Sequence, residues 1–503
     1  MSGFVAACGK PNHREVEHMF HEIRHRGPRL KGVHGTQEVI AAQNYLEADI
    51  AQPEQDITIP AAKDALRICY DGQMGNWEAL ARVHQVSDGS LREERLLLSL
   101  YQRYGTDMFA HLNDAIFAFA IIDGDRVLAA RDLLGIKTLF YGLKGDNLYL
   151  GSELKSIVKV TDEVYEFPPG HYMETGGPFQ RFSELPHTPP AKMHEDLEKM
   201  IREIREIIEG SLRARVDFRA TTGALLSGGI DSSVIAYLAS QRYRELFGVE
   251  SRLPTFALGV GEGQDIYNAR VMAEYLNSDH HELVVSPEEL VERLPEVIYY
   301  LESFDPSLVR SSVSNYLISK YARDQGIEVL LSGEGGDEVF CGYLYLKDCP
   351  SSELFDRQME CIGFLHNNAS LRLDRMNQCN GVRVVAPLIS GDLLTYSLTI
   401  PPQYKQMPEG EDKIEKWIFR KAYEEFLPHS IVWRLKQEFS QGSGSAALLG
   451  AYFENVIEDR ELAEARDRYP MVRSKEELYY LRIFVKRFGE GKALETVGQW
   501  VSL

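Results

Sequence analysis

The chain of 503 residues carries only six cysteines. Cys8, Cys69, Cys341, Cys349, Cys361 and Cys379 form no CxxC pair and no zinc-ligand spacing. A disulfide scaffold and a structural zinc site are therefore excluded, and free thiols in a reducing compartment are expected. Positive charge is also short: 55 lysines and arginines face 75 aspartates and glutamates, a formal charge of −20. That balance argues against general binding to nucleic acid or anionic membrane and leaves room only for a local basic pocket. Long apolar runs are missing too. The longest, Ala115 to Ile122, is far too short to cross a membrane. The opening Met-Ser-Gly-Phe-Val-Ala-Ala-Cys lacks the basic segment and apolar core of a signal peptide. The expectation is a cytoplasmic protein with neither nucleic-acid nor membrane partner.

What is present is globular: 44 % hydrophobic and 26 % charged residues exclude a largely disordered chain. At about 150 residues per domain, the length suggests two large domains or three ordinary ones. Between Phe167 and Lys192 lie Pro168, Pro169, Gly170, Gly176, Gly177, Pro178, Pro186, Pro189 and Pro190, which read as a connector that breaks helix and strand alike. Before it come β-like runs at Gly3–Ala7, Ala115–Ile122, Val127–Ala130, Thr138–Tyr141 and Asn147–Leu150, with a helical pattern from Glu93 to Tyr104. After it, helices alternate with short strands, as in α/β units built on a parallel sheet. Leu197, Ile201, Ile204 and Ile208 share one face of the first of these helices, a pattern for packing on a core.

Ala224-Leu225-Leu226 reads as a strand and leads at once into Ser227-Gly228-Gly229-Ile230-Asp231-Ser232-Ser233, then a helical pattern. Strand, glycine turn and helix start make an anion site, where backbone N–H groups and the positive helix end face phosphate. Asp231 repels phosphate unless a cation lies between them, which implies magnesium. No Walker lysine follows. A second strand, Val329-Leu330-Leu331, leads to Ser332-Gly333-Glu334-Gly335-Gly336-Asp337-Glu338. Ligands in open α/β sheets collect beyond the carboxyl ends of strands, so Asp231 and Asp337 are expected to share the magnesium. The bland alternative for Asp337 is a helix cap. Lys416 and Lys436, each an ordinary surface lysine taken alone, are candidates to neutralise a leaving pyrophosphate.

The Ser-Gly-Gly-x-Asp-Ser form resembles the PP-loop of ATP pyrophosphatases. With His25-Arg26-Gly27-Pro28, Arg131-Asp132-Leu133-Leu134-Gly135-Ile136-Lys137 and the segment from Trp433 to Gly444, the chain resembles glutamine-dependent asparagine synthetases and β-lactam synthetases over nearly its whole length. The resemblance implies a mixed α+β and α/β fold. Residues 1–182 would form an N-terminal αββα glutaminase-like (Ntn) sandwich, 183–194 a linker, and 195–503 an α/β PP-loop synthetase domain. It implies ATP and Mg²⁺ and a small amino-acid-like substrate whose carboxylate becomes an AMP ester before an amine attacks. The ATP and pyrophosphate site would comprise Leu226, Ser227, Gly228, Gly229, Asp231, Ser232, Ser233, Gly333 and Lys416, with Asp231 and Asp337 on the metal. By the same analogy Lys436 stabilises the charged transition state, and Glu334 faces the acyl-adenylate and handles the amine proton. A homodimer is left open.

Departures from the family cluster in the glutaminase half. Ser2 stands where active members expose a cysteine after loss of the initiator Met, and a hydroxyl is much less ionised than a thiol. The oxyanion-hole Asn-Gly resembles Asp71-Gly72 here, a carboxylate in place of an amide. Glu93 takes the place of the aspartate that holds the glutamine amine, while Arg26 is kept. A degenerate, inactive glutaminase pocket is expected. On the synthetase side Arg383, Val385 and Ser390 replace a glutamate, an arginine and an aspartate, and Cys341 stands where glycine is usual. With no internal ammonia source, the favoured expectation is intramolecular closure of the β-lactam type in specialised metabolism. Against it, β-lactam synthetases carry tyrosine where Glu334 stands, leaving Asp374, Tyr343 or Tyr345 to compensate. The alternative is an ammonia-dependent asparagine synthetase in amino-acid metabolism, and behind it a glutamine-dependent one using Ser2. A catalytically dead binding protein is disfavoured by the joint retention of Asp231, Ser232, Glu334, Asp337, Lys416 and Lys436.

Overall fold

A computed structural model of the chain describes residues 2–27, 29–45, 59–60, 65–86, 91–260, 264–409, 412–436 and 444–500, with backbone only at 29–35, 59–60, 65, 264 and 409. Pro28 and residues 437–443 of the motifs above lie outside the described residues. The chain divides into two compact units, Met1–Leu185 with Phe484–Gly498 and Pro186–Ile483 with Gln499–Leu503.

The first unit is built from β1 (Ser2–Cys8), β2 (Arg29–Gly35), β3 (Val39–Tyr45), β4 (Ile59–Pro60), β5 (Ala65–Met74), β6 (Ala115–Asp123), β7 (Arg126–Arg131), β8 (Phe140–Lys144), β9 (Asn147–Gly151), β10 (Val164–Glu166), β11 (His171–Glu174) and β12 (Gln180–Arg181). They form two six-stranded sheets, β10-β8-β9-β1-β3-β2 and β12-β11-β7-β6-β5-β4. The period of two assigns each layer. In β6, Ala118, Ala120 and Ile122 join Phe4, Ala6 and Cys8 of β1 in the core between the sheets. Phe117, Phe119 and Ile121 point the other way, onto Leu96, Leu97 and Leu100 of the helix Arg92–Tyr104. The helix His13–Glu22 packs on β1 and β3, giving helix, sheet, sheet and helix in four layers.

Three expectations are corrected. The Pro/Gly-rich stretch is partly sheet: β11 pairs with β7 and β12, and its glycines supply the turns, Gly170 at φ +70° and Gly176 at +77°. The run read as Thr138–Tyr141 starts at Phe140, because the Lys137 N–H bonds the Asp132 carboxylate at 3.0 Å and the Thr138 hydroxyl bonds the Ser152 carbonyl at 2.7 Å. Residues Phe484–Gly498, read as part of the second domain, belong with the first unit. Their short helix Lys492–Glu495 packs on β10, with the Lys492 ammonium 5.6 Å from the Tyr165 ring centre.

The second unit holds a five-stranded parallel sheet, β13 (Thr222–Leu225), β14 (Pro254–Val260), β15 (Asp279–Val285), β16 (Val329–Leu331) and β17 (Arg383–Val385), in the order β15-β14-β13-β16-β17. Chain order reverses between β13 and β16, so the crevice at their carboxyl ends is the topological switch point where ligands bind in such sheets. The helix Leu197–Arg215 is capped by Asp196, whose carboxylate accepts from the Lys199 N–H at 3.0 Å, and it buries Ile201, Ile204 and Ile208. No helix among the described residues is long and apolar enough to cross a membrane. All six cysteines are free thiols.

Candidate active site

β13 and β16 are neighbours, so the loops that follow them meet. Gly229 caps the helix Ile230–Phe247, and the Ser232 hydroxyl accepts from the Ser227 N–H at 3.2 Å and donates to the Gly229 carbonyl at 3.1 Å. The turn is thereby held open toward an anion at a helix N-terminus. Glycines permit the contact between loops. A Cβ on Gly333 would lie 2.5 Å from the Asp231 carbonyl carbon and the Ser232 nitrogen, and one on Gly336 would lie 2.2 Å from Asp231 Oδ1. Gly228, at φ +68°, abuts Asn268 in the same way.

Lys416 bridges the two loops, and Lys436 holds the second. Lys416 Nζ lies 2.6 Å from Asp231 Oδ2 and 2.7 Å from Asp337 Oδ1, and Lys436 Nζ lies 2.7 Å from Asp337 Oδ2. Burial raises the Asp337 pKa, but the two ammoniums outweigh it and hold the carboxyl well below the usual carboxylate range. Burial likewise opposes the charge on Lys436, yet Asp337 and Asp231 raise its pKa well above the ordinary value. Lys416 is fully buried, in a left-handed conformation at φ +55°. It packs so closely on Gly342 that a Cβ there would lie 1.9 Å from Lys416 Cε.

Asp231 Oδ1 is buried with no hydrogen-bond partner among the described residues. One unclaimed carboxylate oxygen beside a second aspartate suits Mg²⁺, which takes one or two carboxylates and leaves its other positions to phosphate oxygens and water. No cluster of three or more potential metal-ligating side chains occurs among the described residues, so such an ion fits only together with its phosphates.

The cleft at this switch point is lined by Leu226, Ser227, Gly229, Asp231, Ser232, Gly333, Glu334, Asp337 and Lys436 among others. Three expected phosphate contacts stand elsewhere. Gly228 turns against Asn268 and does not line the cleft. Ser233 is fully buried, its hydroxyl without a partner among the described residues and off the cleft wall, because adjacent helix positions point about 100° apart. Lys416 lies behind the two aspartates and does not line the cleft. Other residues enter that the sequence did not single out. Arg372 pairs with Glu334 across the cleft wall. Arg434 binds Asp265 at 2.9 Å and reaches the Ser227 carbonyl at 3.4 Å. Arg420 donates to the carbonyls of Glu415, Val432 and Arg434, tying down the chain on the approach to Lys436. For Arg420 and Arg434 the signal was only that arginine neighbours the two lysines in sequence, and Arg372 carried none.

Glu338 is buried, accepts from the Tyr343 hydroxyl at 2.6 Å, and has its pKa pushed up to about 7 by burial and by the Asp337 charge. Of the residues proposed to compensate at Glu334, Tyr343 lines the cleft, whereas Asp374 and Tyr345 do not. Trp500 packs on Tyr343 and Phe364 and also lines the cleft.

In the first unit the pocket around Ser2 is filled with ion pairs. The Ser2 hydroxyl donates to the Tyr70 carbonyl at 2.6 Å and accepts from Gln43 at 2.8 Å. Asp71 pairs with Arg26 at 2.9 Å and Lys137 at 3.2 Å, and its Oδ1 also accepts from the Ser2 N–H at 3.1 Å. Arg26 also binds Glu153 at 2.7 Å, and Lys155 binds the same carboxylate. Gly72 sits where a Cβ would lie 2.5 Å from the Ile116 carbonyl oxygen and the Tyr70 ring. Glu93 accepts from the Tyr70 hydroxyl at 2.6 Å, and burial raises its pKa. The serine is thus committed to a backbone acceptor, and the Asp71 carboxylate is neutralised by cations.

The family model described as asparagine synthase matches residues 203–360 and 355–493, and that of the glutamine amidotransferase domain matches residues 1–183. The four-layer sandwich and the PP-loop sheet each have their counterpart. The chain is 31 % identical over 500 residues to a glutamine-hydrolysing asparagine synthetase of Zea mays, covering 94 % of this chain and 83 % of that protein. It is 30 % identical over 531 residues to a probable glutamine-hydrolysing asparagine synthetase of Schizosaccharomyces pombe, covering 96 % and 92 %. To the glutamine-hydrolysing asparagine synthetase of Gallus gallus it is 31 % identical over 510 residues, covering 93 % and 90 %.

Proposed function

The chain belongs to the asparagine synthase family, and on that premise we propose that it makes asparagine from aspartate, ATP and free ammonia. One observation carries the reading: Asp231, Asp337, Lys416 and Lys436 converge at the switch point in a single ionic chain. The aspartate β-carboxylate attacks the α-phosphorus, and pyrophosphate leaves from the Ser227–Ser232 loop. The ammonia lone pair then attacks the acyl carbon, the bond from carbon to the AMP oxygen breaks, and the surplus proton passes to a base. Asp231 and Asp337 would hold Mg²⁺, which neutralises the phosphate oxygens when bound. Lys436, on the cleft wall and held fully charged by Asp337, stabilises negative charge as it builds on the leaving groups. Lys416 positions the two carboxylates and touches no phosphate.

The relatives support this reading better than the lactam closure expected from sequence, since those named are asparagine synthetases. Free ammonia is favoured over glutamine by the committed Ser2 hydroxyl and the ion-paired Asp71. A second reading, glutamine as donor, is favoured by the amidotransferase match over residues 1–183. Pyrophosphate release with aspartate, followed by product analysis with ammonium or with glutamine as sole nitrogen source, tests the proposal. Asparagine from ammonium alone is expected. Asparagine from glutamine would favour the second reading, and no aspartate turnover with either would reopen the search for another carboxylate.

A further inference from the structure

The helix Pro306–Asp324 forms one wall of the synthetase cleft. Ser307, Ser311, Asn315 and Ile318 recur at helical spacing and all line it. Asn315 is 3 % exposed, and neither its Nδ2 nor its Oδ1 has a hydrogen-bond partner among the described residues. A buried carboxamide on a cleft wall with both ends unsatisfied calls for an occupant that satisfies it. Ser311, one turn away, donates its hydroxyl proton back to the Ser307 and Leu308 carbonyls at 3.0 Å, so toward the cleft it offers an oxygen that accepts.

We propose that Asn315 and Ser311 form a subsite for a small neutral amine, which under the function proposed above is ammonia awaiting attack on the acyl-adenylate. The inventory of groups selects this ligand. Two acceptor oxygens face N–H donors, and the Asn315 amide N–H can meet the lone pair, which matches a molecule with three donors and one acceptor. Charge selects the neutral form. The carboxylates lining the cleft already have cationic partners: Asp231 has Lys416, Asp265 has Arg434, Glu334 has Arg372, and Asp337 has both lysines. An ammonium ion would lose its hydration and find no carboxylate that lacks a cationic partner, whereas ammonia carries no such penalty. The neutral molecule is also the nucleophile. Aspartate, with three charged groups, is a poor match for an uncharged carboxamide and hydroxyl.

The test is steady-state kinetics on the full chain with Asn315→Leu, which keeps the branched shape and removes both polar atoms. The KM for ammonium is expected to rise at least tenfold, with the KM values for ATP and aspartate and the first-turnover pyrophosphate burst unchanged. Ser312→Ala, a buried helix neighbour off the cleft wall, is the control for general damage to the helix. If Asn315→Leu does not fold, Ser311→Ala with the same readout decides the matter, with a smaller rise in ammonium KM expected. An unchanged ammonium KM overturns the subsite while leaving asparagine synthesis standing. A raised ATP KM overturns it in favour of pairing between the carboxamide and the adenine edge. A wild-type chain with no ammonium-dependent product defeats both the subsite and the parent reading.

Discussion

Lys416→Met exposes the central device of the site to measurement. Methionine keeps most of the buried volume and removes the ammonium that binds Asp231 at 2.6 Å and Asp337 at 2.7 Å. Removing one partner of a buried pair costs about 3–5 kcal/mol, because the remaining charge is left uncompensated. Here Asp337 keeps Lys436 at 2.7 Å and the Asp231 side chain is 17 % exposed, which places the loss at the lower end, about 3 kcal/mol. For a unit of this size that is a fall in melting temperature of roughly 5 °C. The pH dependence carries a sign. The native pKa of Asp337 is held down, so its contribution is present above the unfolded value of about 3.9 and is lost as pH falls through the native one. The gap between wild type and variant is therefore full at neutral pH and narrows only as pH falls below about 3.9. Thermal unfolding across that range is the assay. Equal melting temperatures at neutral pH, or a gap that stays constant on acidification, would refute the reasoning.

Gly342→Ala places a Cβ 1.9 Å from Lys416 Cε, so pyrophosphate release should fall sharply, with about 1–3 kcal/mol of overpacking cost visible in denaturant unfolding. Glu338, with its pKa raised to about 7, favours its protonated form in the native state, so this group makes stability fall as pH rises from its unfolded value of about 4.3 to about 7. Glu338→Gln should flatten that slope in a melting-temperature profile, and an unchanged profile would count against the assignment. Asp71→Asn leaves Arg26 and Lys137 buried without their shared counter-charge and should cost about 3–5 kcal/mol in denaturant unfolding. Glutaminase activity should not appear, because the Ser2 hydroxyl stays bonded to the Tyr70 carbonyl.

Much of the fold is legible because its signals are local. The alternation in Ala115–Ile122 separates residues facing the neighbouring sheet from those facing a helix, and the two apolar triplets before the glycine loops mark β13 and β16. The meeting of Asp231 and Asp337 follows from those loops once the strands are neighbours. What depends on long-range contact is not legible. Lys416 reads as a surface lysine, and only its packing against Gly342 and the aspartate pair buries it. Ser232 and Ser233 are indistinguishable as sequence, yet one hydroxyl holds the loop and the other is turned into the core. At Ser2 the residue types point to a lost pocket, but the partners that fill it, Lys137, Glu153 and Lys155, come from distant turns and carry no local signal. Asn315 is one polar residue in a serine-rich helix, and its significance appears only when both ends of its amide are left unpaired on the cleft wall.

The central claim is that this chain aminates an adenylated aspartate with free ammonia. It is tested most directly by incubating the full chain with ATP, Mg²⁺, aspartate, ¹⁵N-ammonium and an equal concentration of unlabelled glutamine, and weighing the product. Asparagine carrying the heavy amide nitrogen, with glutamine left intact, is the predicted result. Unlabelled asparagine with matching glutamate would contradict the reading of the Ser2 pocket, and no asparagine despite ATP and aspartate would contradict the assignment of the synthetase site.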